Sequence, residues 1–444
     1  MALFGTDGVR GLAGVDLTAE LARSLSAAAV AVLAPGNDRP VVVVGRDPRP
    51  SGPWLQDAVV AGLTSTGADV VLVGIIPTPA VARAVADGIP DVIDAAAFGV
   101  VISASHNPPA DNGIKFFGAG GRKLDDATEA AIEARLDGPV TPTASGEVIS
   151  DRSGETDWYV DALVATLATS LTGLSVVVDC ANGAAATVAG AAYANAGAVV
   201  SLINTDLDGE HINDHCGATH LEMLQAAVVA AGADAGIAHD GDADRCLAVA
   251  ADGTLVDGDA ILAILALDLH RRSNLRHGSV VATVMSNLGL HRVLRDNGIT
   301  LTTTPVGDRH VAEQMRADGS VLGGEQSGHV VLLDHATTGD GVLTGLHLLA
   351  ASAASGESLG TLAAALQRLP QVLVNVRVDD PVAAIDTAGP AIRFASQRLG
   401  DDGRVLVRVS GTEPLVRVMV EAETDELANE IAQQLATEVS GGTA

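Results

Sequence analysis

The sequence predicts an α/β protein of four domains: three similar mixed α/β domains and a smaller C-terminal α+β domain around a central cleft. Three observations lead there. Short β-branched runs bounded by Gly, Asn or Asp alternate with helix-like sequence, the order of these elements returns three times, and the pattern changes after about Pro370. At about 150 residues per domain, a chain of 444 residues has room for several.

The first strand of each repeat is "VVVVG" from Val41, "SVVVDC" from Ser175 and "SVVATV" from Ser279, runs that read as buried parallel strands. Second strands follow at "ADVVLVGII" from Ala68, "AVVSLIN" from Ala198 and "ITLTTTP" from Ile299. Third strands follow at "GVVIS" from Gly99, "AGIAHD" from Ala235 and "VLGGE" from Val321. First and third strands start about 60, 60 and 40 residues apart, the size of βαβ-type units. The loops after the third strands are "SASHNP", "DGDADR" and "EQSGH". Ligands gather outside the carboxyl ends of parallel strands, so these three loops are expected to face one cleft. In the tail, "QVLVNVRV", a helical stretch, "RVLVRVSGTEPLVRVMVEA" and "DELANEIAQQLATEV" read as strand, helix, two antiparallel strands and an amphipathic helix. The expected domains are 1–150, 151–250, 251–367 and 368–444, with a Pro, Thr, Ser and Gly-rich seam near Gly138 to Val148.

Composition excludes several function classes. With 48% hydrophobic, 18% charged and only 2% aromatic residues, the chain is globular and its cores are Ala, Val, Leu and Ile. A net charge of −29 leaves no basic face to displace counterions from a nucleic acid, so no such partner is expected. Cys180, Cys216 and Cys246 are scattered, which disfavours disulfides and thiolate zinc sites. The stretch "MALFGTDGVRG" lacks a basic start followed by an apolar run, so no signal peptide is expected, and the apolar run "AILAILAL" stops at Asp268, too short to span a membrane. A cytoplasmic protein with no membrane partner is expected, and a homodimer is compatible with the sequence.

The chemistry concentrates in the loops. Asp240, Asp242 and Asp244 alternate along "DGDADR", which in an extended loop turns three oxygen ligands to one side, as a hard cation such as Mg²⁺ requires. Arg245 and Ala251 stand where a calcium EF-hand needs Gly and Glu; a solvated acidic turn is the bland alternative. "RVSGTEPLVRV" places Arg408, Ser410, Gly411, Thr412 and Arg417 around a tight turn, either a phosphate cradle of the anion-nest type or a plain hairpin. "GGEQSGHVV" offers Glu325, Ser327 and His329 at alternate positions, suited to sugar hydroxyls, although a lone histidine is more often structural; Arg309 in "TPVGDRHV" is a further anion contact to consider. No Walker sequence and no G-x-S-x-G elbow occurs, so nucleoside triphosphate binding and α/β-hydrolase chemistry lack support. In "VVISASHNPPADNGIKFF" a serine lies ahead of Lys115, and the chain's only other lysine is Lys123. A serine beside a metal loop and a phosphate cradle suggests a phosphoryl carrier. A lysine kept amid arginines suggests a titrating group, since a desolvated ammonium can lose its proton and a guanidinium cannot; chance or structural use of the lysine is the alternative.

Taken in order, "SASHNP" with "DNGIKFF", "DGDADR", "GEQSGH" and "SGTEP" with a following arginine resemble the α-D-phosphohexomutase superfamily over essentially the whole chain. "LFGTDGVRG" with "GEQSGH" and "VGDR" is similar to its phosphoglucosamine mutase branch. The resemblance implies Ser105 as phosphoserine, Asp240, Asp242 and Asp244 as Mg²⁺ ligands together with it, and Thr6 and Arg10 lining the reacting site. It further implies that Glu325 and Ser327 hold sugar hydroxyls and that Ser410, Thr412 and Arg417 hold the non-reacting phosphate. Catalysis is then expected from Ser105, Lys115, Arg10 and His329, with Arg245, Arg309, Arg408 and Gly411 among the substrate contacts. A hexosamine phosphate is the expected substrate and a sugar 1,6-bisphosphate the activator and intermediate. The rivals are the same chemistry on glucose or mannose phosphates and a metal-dependent phosphatase that uses Ser105. Ala243 departs from the family pattern, in which a second glycine is commoner, and little effect is expected.

Overall fold

The structure is a computed structural model that describes residues 3–5, 7–136, 145–410 and 415–441. It divides into two compact units, residues 1–285 with 299–364 and residues 286–298 with 365–444.

The first unit holds three sheets on one plan. Strands β1 (Val9–Leu12), β2 (Val41–Arg46), β3 (Asp69–Ile75), β4 (Phe98–Ile102), β5 (Asp111–Gly118), β6 (Arg122–Lys123) and β7 (Val148–Asp151) form a sheet ordered β1-β5-β4-β2-β3-β7, with β6 beside β5. A second sheet contains β8 (Ser175–Asp179), β9 (Val199–Ile203), β10 (Ala235–Ala238), β11 (Leu247–Ala250) and β12 (Leu255–Val256) in the order β12-β11-β10-β8-β9. A third contains β13 (Ser279–Thr283), β14 (Thr300–Thr304), β15 (Leu322–Gly324) and β16 (Val330–Leu332) in the order β14-β13-β15-β16. In each sheet the first strand of the repeat lies between the second and third and is parallel to both. The third strand then folds back on a fourth, antiparallel one: β5, β11 or β16. Burial explains the composition of the central strands: the middle of "VVVV", "VVV" and "VVA" is fully buried, and β-branched residues pack well on a pleated surface.

The sequence reading located the three parallel strands of each repeat and overlooked the antiparallel fourth ones. β5 was visible only as a loop carrying a lysine, and β11 and β16 are too short to show a period of two. β7, just after the proline-rich seam, pairs with β3 and so extends the first sheet. The apolar run at Ala260 lies in the helix Gly258–Arg271, capped by the Asp257 side chain on Ala260 N–H and almost wholly buried. Among the described residues no helix is long and apolar enough to cross a membrane.

The second unit packs an antiparallel sheet of β17 (Gln371–Arg377), β18 (Arg404–Val409) and β19 (Leu415–Glu421), ordered β17-β19-β18, against the helices Pro381–Leu399 and Asp425–Val439. It also contains the helix Leu288–Asp296, whose first amide donates to Glu421 Oε2 at 3.0 Å. Arg404 donates to both oxygens of that fully buried carboxylate.

Candidate active site

The third strands of the repeats deliver three loops to one place. β4 ends at Ile102, and in the following loop Ser105 adopts a φ of +52°, a left-handed conformation that a residue with a side chain holds only when its surroundings impose it. Its Oγ donates to Asp240 Oδ2 at 2.6 Å and lies 3.1 Å from His106 Nδ1. Asp240, Asp242 and Asp244 follow β10, are all buried, and each offers an oxygen within 4.8 Å of the others. One oxygen of Asp242 receives Thr78 Oγ1 at 2.6 Å and Lys115 Nζ at 2.7 Å. The other oxygen of Asp242, and Oδ1 of Asp244, are buried with no hydrogen-bond partner among the described residues. Orphaned buried carboxylate oxygens are unfavourable unless something occupies them, and an all-oxygen set of this kind fits a hard divalent cation. Gly241 makes the approach possible, since a Cβ there would come within 2.6 Å of the Ser105 carbonyl oxygen. Ala243 has a φ of +58°, which is the physical reason glycine suits that position.

Around the acids lies a chain of buried cations. Lys115, on the fourth strand β5, reaches Asp7 and Asp242 at 2.7 Å each and Asp244 at 3.9 Å. Asp7 in turn binds Lys123 and Arg10 at 2.7 Å each, so the chain's two lysines share one carboxylate. Lys123 also pairs with Asp308. His329, at the start of β16, stands 3.6 Å from Asp244 and 3.4 Å from Asp308. Arg245 Nε is 3.9 Å from Asp240.

Electrostatics separates these groups. Burial, with Asp244 and Asp242 adding to it, pushes Asp240 up to about 7. Burial also opposes ionisation of Asp244, but His329 and Lys115 outweigh it and hold that carboxyl well below the usual range. Asp7 is likewise held low by Lys115, Lys123 and Arg10 against its burial. Burial alone pushes the Lys115 ammonium down, yet Asp242, Asp7 and Asp244 reverse the sign and raise it above the ordinary lysine value. The sequence argument for a proton-losing lysine rested on desolvation; opposing carboxylates turn the net effect the other way. His329 is also raised, Asp308 and Asp244 overcoming desolvation.

The other expected contacts divide. Glu325 and Ser327, half-buried after β15, hydrogen-bond each other at 3.3 Å, and Glu325 accepts from Gly307 N–H at 3.1 Å. Arg309, expected as an anion contact, has its guanidinium paired with Asp126, Glu129 and Glu313. In the second unit, Arg408 and Arg417 stand directly opposite each other on β18 and β19, and Ser410 Oγ is buried with no partner among the described residues. Like charges placed directly opposite each other are unfavourable. Thr6, Gly411 and Thr412 lie outside the described residues. The sequence reading missed Asp7 and Asp308 and gave Lys123 no role; an acid in the turn "GTDG" three residues before Arg10 was the available signal for the first.

Comparison with known proteins agrees with this geometry. Phosphoglucomutase/phosphomannomutase family models match in order: α/β/α domain I at residues 1–140, domain II at 157–253, domain III at 257–369 and the C-terminal domain at 373–438. A phosphoglucosamine mutase of Frankia alni is 58% identical over 98% of both chains. The crystal structure of a phosphoglucomutase/phosphomannomutase family protein from Burkholderia thailandensis superposes with a TM-score of 0.86 at 29% identity, covering 100% of this chain and 98% of that one. An Aspergillus fumigatus N-acetylphosphoglucosamine mutase, solved with GlcNAc-6P and magnesium, shares the fold with a TM-score of 0.72 at 18% identity over 99% and 95% of the chains. With four domain models in order and such identity end to end, the chain belongs to the phosphoglucosamine mutase family of the α-D-phosphohexomutases.

Proposed function

We propose that the protein is an isomerase that interconverts glucosamine 6-phosphate and glucosamine 1-phosphate through a phosphoserine enzyme and a glucosamine 1,6-bisphosphate intermediate. The observation that carries this reading is Ser105 Oγ, 2.6 Å from Asp240 in a buried triad, two of whose carboxylate oxygens have no hydrogen-bond partner among the described residues. Phosphoryl transfer asks a protein mainly for positioning and charge neutralisation, and this site is arranged for both.

In the first half-reaction the phosphoryl group on Ser105 passes to the sugar hydroxyl at carbon 1. The serine O–P bond breaks, a sugar O–P bond forms, and the hydroxyl proton ends on Ser105 Oγ. Lys115 is the side chain placed to shuttle that proton, with His329 second; Arg10 lines the same site. After the bisphosphate turns over, Ser105 Oγ attacks the phosphoryl group at carbon 6 and the proton travels back. A bound Mg²⁺ supplies neutralisation of the transferring phosphoryl oxygens and offsets the carboxylate charge that holds the proton on Lys115. Asp240, Asp242 and Asp244 would hold it. Glu325 and Ser327 would orient sugar hydroxyls, Arg245 would face the reacting phosphate, and Arg408, Ser410 and Arg417 would bind the non-reacting one. The reading places the enzyme in the cytoplasm, in amino-sugar nucleotide synthesis for the cell envelope, with domains divided at about residues 150, 250 and 367.

Phosphorus NMR tests it. With Mg²⁺ and a trace of sugar 1,6-bisphosphate, a 1-phosphate resonance should grow much faster from glucosamine 6-phosphate than from glucose 6-phosphate, and Ser105→Ala should abolish it. Equal or faster growth from glucose, release of free phosphate, or full activity of Ser105→Ala would overturn the proposal.

A further inference from the structure

Ser105 is held by a second group of residues outside the aspartate triad. Arg49 is fully buried, and its Nη2 donates to the carbonyl oxygens of Ser105 at 2.9 Å and Asn107 at 2.7 Å. Its Nη1 donates to the carbonyls of Asp111 at 2.9 Å and of Pro108. One guanidinium therefore ties together the whole turn between β4 and β5. From the opposite side, Asn213 Nδ2 donates to the same two carbonyls, Ser105 at 2.9 Å and Asn107 at 3.1 Å. Arg49 belongs to the first repeat and Asn213 to the second, so the serine loop is gripped between them. The second repeat's loop lies tight on the first, because a Cβ at Gly209 would come within 2.0 Å of the Pro48 carbonyl oxygen.

A third connection closes the network. The buried Asp47 carboxylate accepts from Arg49 Nε at 2.9 Å and from Ser103 Oγ at 2.6 Å, and Ser103 Oγ accepts from Ser105 N–H at 2.9 Å. Both backbone polar groups of Ser105 are thus fixed by buried side chains. A non-glycine residue in the left-handed region is strained and persists only where the surroundings over-determine it.

We propose that Arg49 and Asn213 are positioning residues for phosphoryl transfer: as a two-sided clamp on the Ser105 and Asn107 carbonyls they hold the serine loop in its left-handed turn and aim Ser105 at the aspartate triad. The inference rests on the proposed role of Ser105 as phosphoryl carrier. Since a misplacement of about 1 Å costs about 100-fold in rate, loosening the clamp should lower kcat while leaving KM and Mg²⁺ activation near their wild-type values.

Asn213→Asp is the sharpest variant, because it is isosteric but turns a carboxylate toward two carbonyl oxygens. Asn213→Ala removes the donors alone, and Arg49→Lys keeps a charge for Asp47 but has no fork to span two carbonyls. Each variant, loaded with sugar 1,6-bisphosphate, would be measured for kcat and KM with glucosamine 6-phosphate and for the phosphorus resonance of phospho-Ser105. The expected result is a kcat lowered about 10- to 100-fold in Asn213→Asp, less in Asn213→Ala, with KM within about twofold and a shifted or broadened phosphoserine resonance. If Arg49→Lys does not fold, the Asn213 variants decide. Wild-type kcat and resonance in both Asn213 variants, or a loss explained wholly by a smaller folded fraction, would overturn the clamp. A wild-type protein with neither phosphoserine signal nor 1-phosphate formation would instead overturn the reading of Ser105, and the clamp's purpose with it.

Discussion

The second repeat carries two acidic loops with the same spacing and opposite fates. Asp240, Asp242 and Asp244 are buried, and two of their oxygens have no hydrogen-bond partner among the described residues. Asp206, Asp208 and Glu210 are exposed, and the aspartate carboxylates cap their own loop: Asp206 accepts from Asp208 N–H at 3.0 Å, and Asp208 from Glu210 N–H at 2.8 Å. Alternation of acids therefore does not make a cation site. What separates the loops is the strand each follows. β10 is interior to its sheet and delivers its acids onto Ser105 and Lys115, whereas β9 is an edge strand and the three acids that follow it face solvent, although Gly209 between them packs on Pro48.

Matched substitutions break the comparison open. Asp242→Asn removes a ligand oxygen and leaves Lys115 without one of its closest partners. Turnover should fall about 1000-fold, with Mg²⁺ activation lost, because removing one electrostatic contributor in a water-excluded site typically costs 100- to 1000-fold and this one also holds the cation. Steady-state rates across a Mg²⁺ titration check this; a variant activated normally by Mg²⁺ would show that the triad is structural. Lys115→Arg comes next. It keeps the charge between Asp7 and Asp242 but not a group that can pass a proton, so kcat should fall about 100-fold. Near-normal turnover would mean that only the charge matters there.

These residues also show what the sequence could and could not disclose. The nine parallel strands of the repeats were legible because most are short apolar, largely β-branched runs and the rest recur in the same order, and the three aspartates because their spacing is local. The partners that make the site were not. Lys115 meets Asp242 across 127 residues and Ser105 meets Asp240 across 135, and no local pattern encodes such pairs. Arg49 sits in "RDPRP", which reads as an exposed turn, and arginine is rarely buried in full unless it is paired. Asp7 had only its place three residues before Arg10 to mark it, and its pairing with both lysines appears once the chain is folded. The antiparallel strand β5 escaped because asparagine, glycine and lysine interrupt its apolar residues, although six of its eight positions are buried.

A third acid sharpens the contrast by separating burial from open valence. Asp340 is as buried as the triad, but Oδ1 accepts from Leu343 N–H at 2.9 Å and Oδ2 from Tyr159 Oη at 2.7 Å. Burial pushes it up to about 6 in spite of these donors. A carboxyl raised on folding favours the folded state when protonated, so its contribution is present below about pH 4 and is lost as pH rises through 6. Asp340→Asn keeps an acceptor for the helix cap and removes the titration. Relative to wild type it should gain on the order of 2 kcal/mol between pH 4 and pH 7, read as a rising difference in denaturation midpoint, while Mg²⁺ activation stays unchanged. A difference independent of pH would mean that Asp340 is not titrating in this range.

The smallest effect belongs to the exposed loop, and it makes the contrast with the triad quantitative. Asp208→Asn is the same substitution as Asp242→Asn, at the central position of the same spacing. An asparagine side-chain oxygen can still accept from Glu210 N–H, the residue is solvated, and removing one unit of negative charge from a chain of −29 slightly relieves self-repulsion. Stability should therefore change by no more than about 0.5 kcal/mol, and turnover and Mg²⁺ activation should match wild type. Assayed beside Asp242→Asn, the pair isolates environment from sequence, because residue, substitution and spacing are held constant. If Asp208→Asn weakened Mg²⁺ activation tenfold, a cation held by the exposed loop would be contributing to catalysis, and burial with open oxygens would no longer be what distinguishes the two.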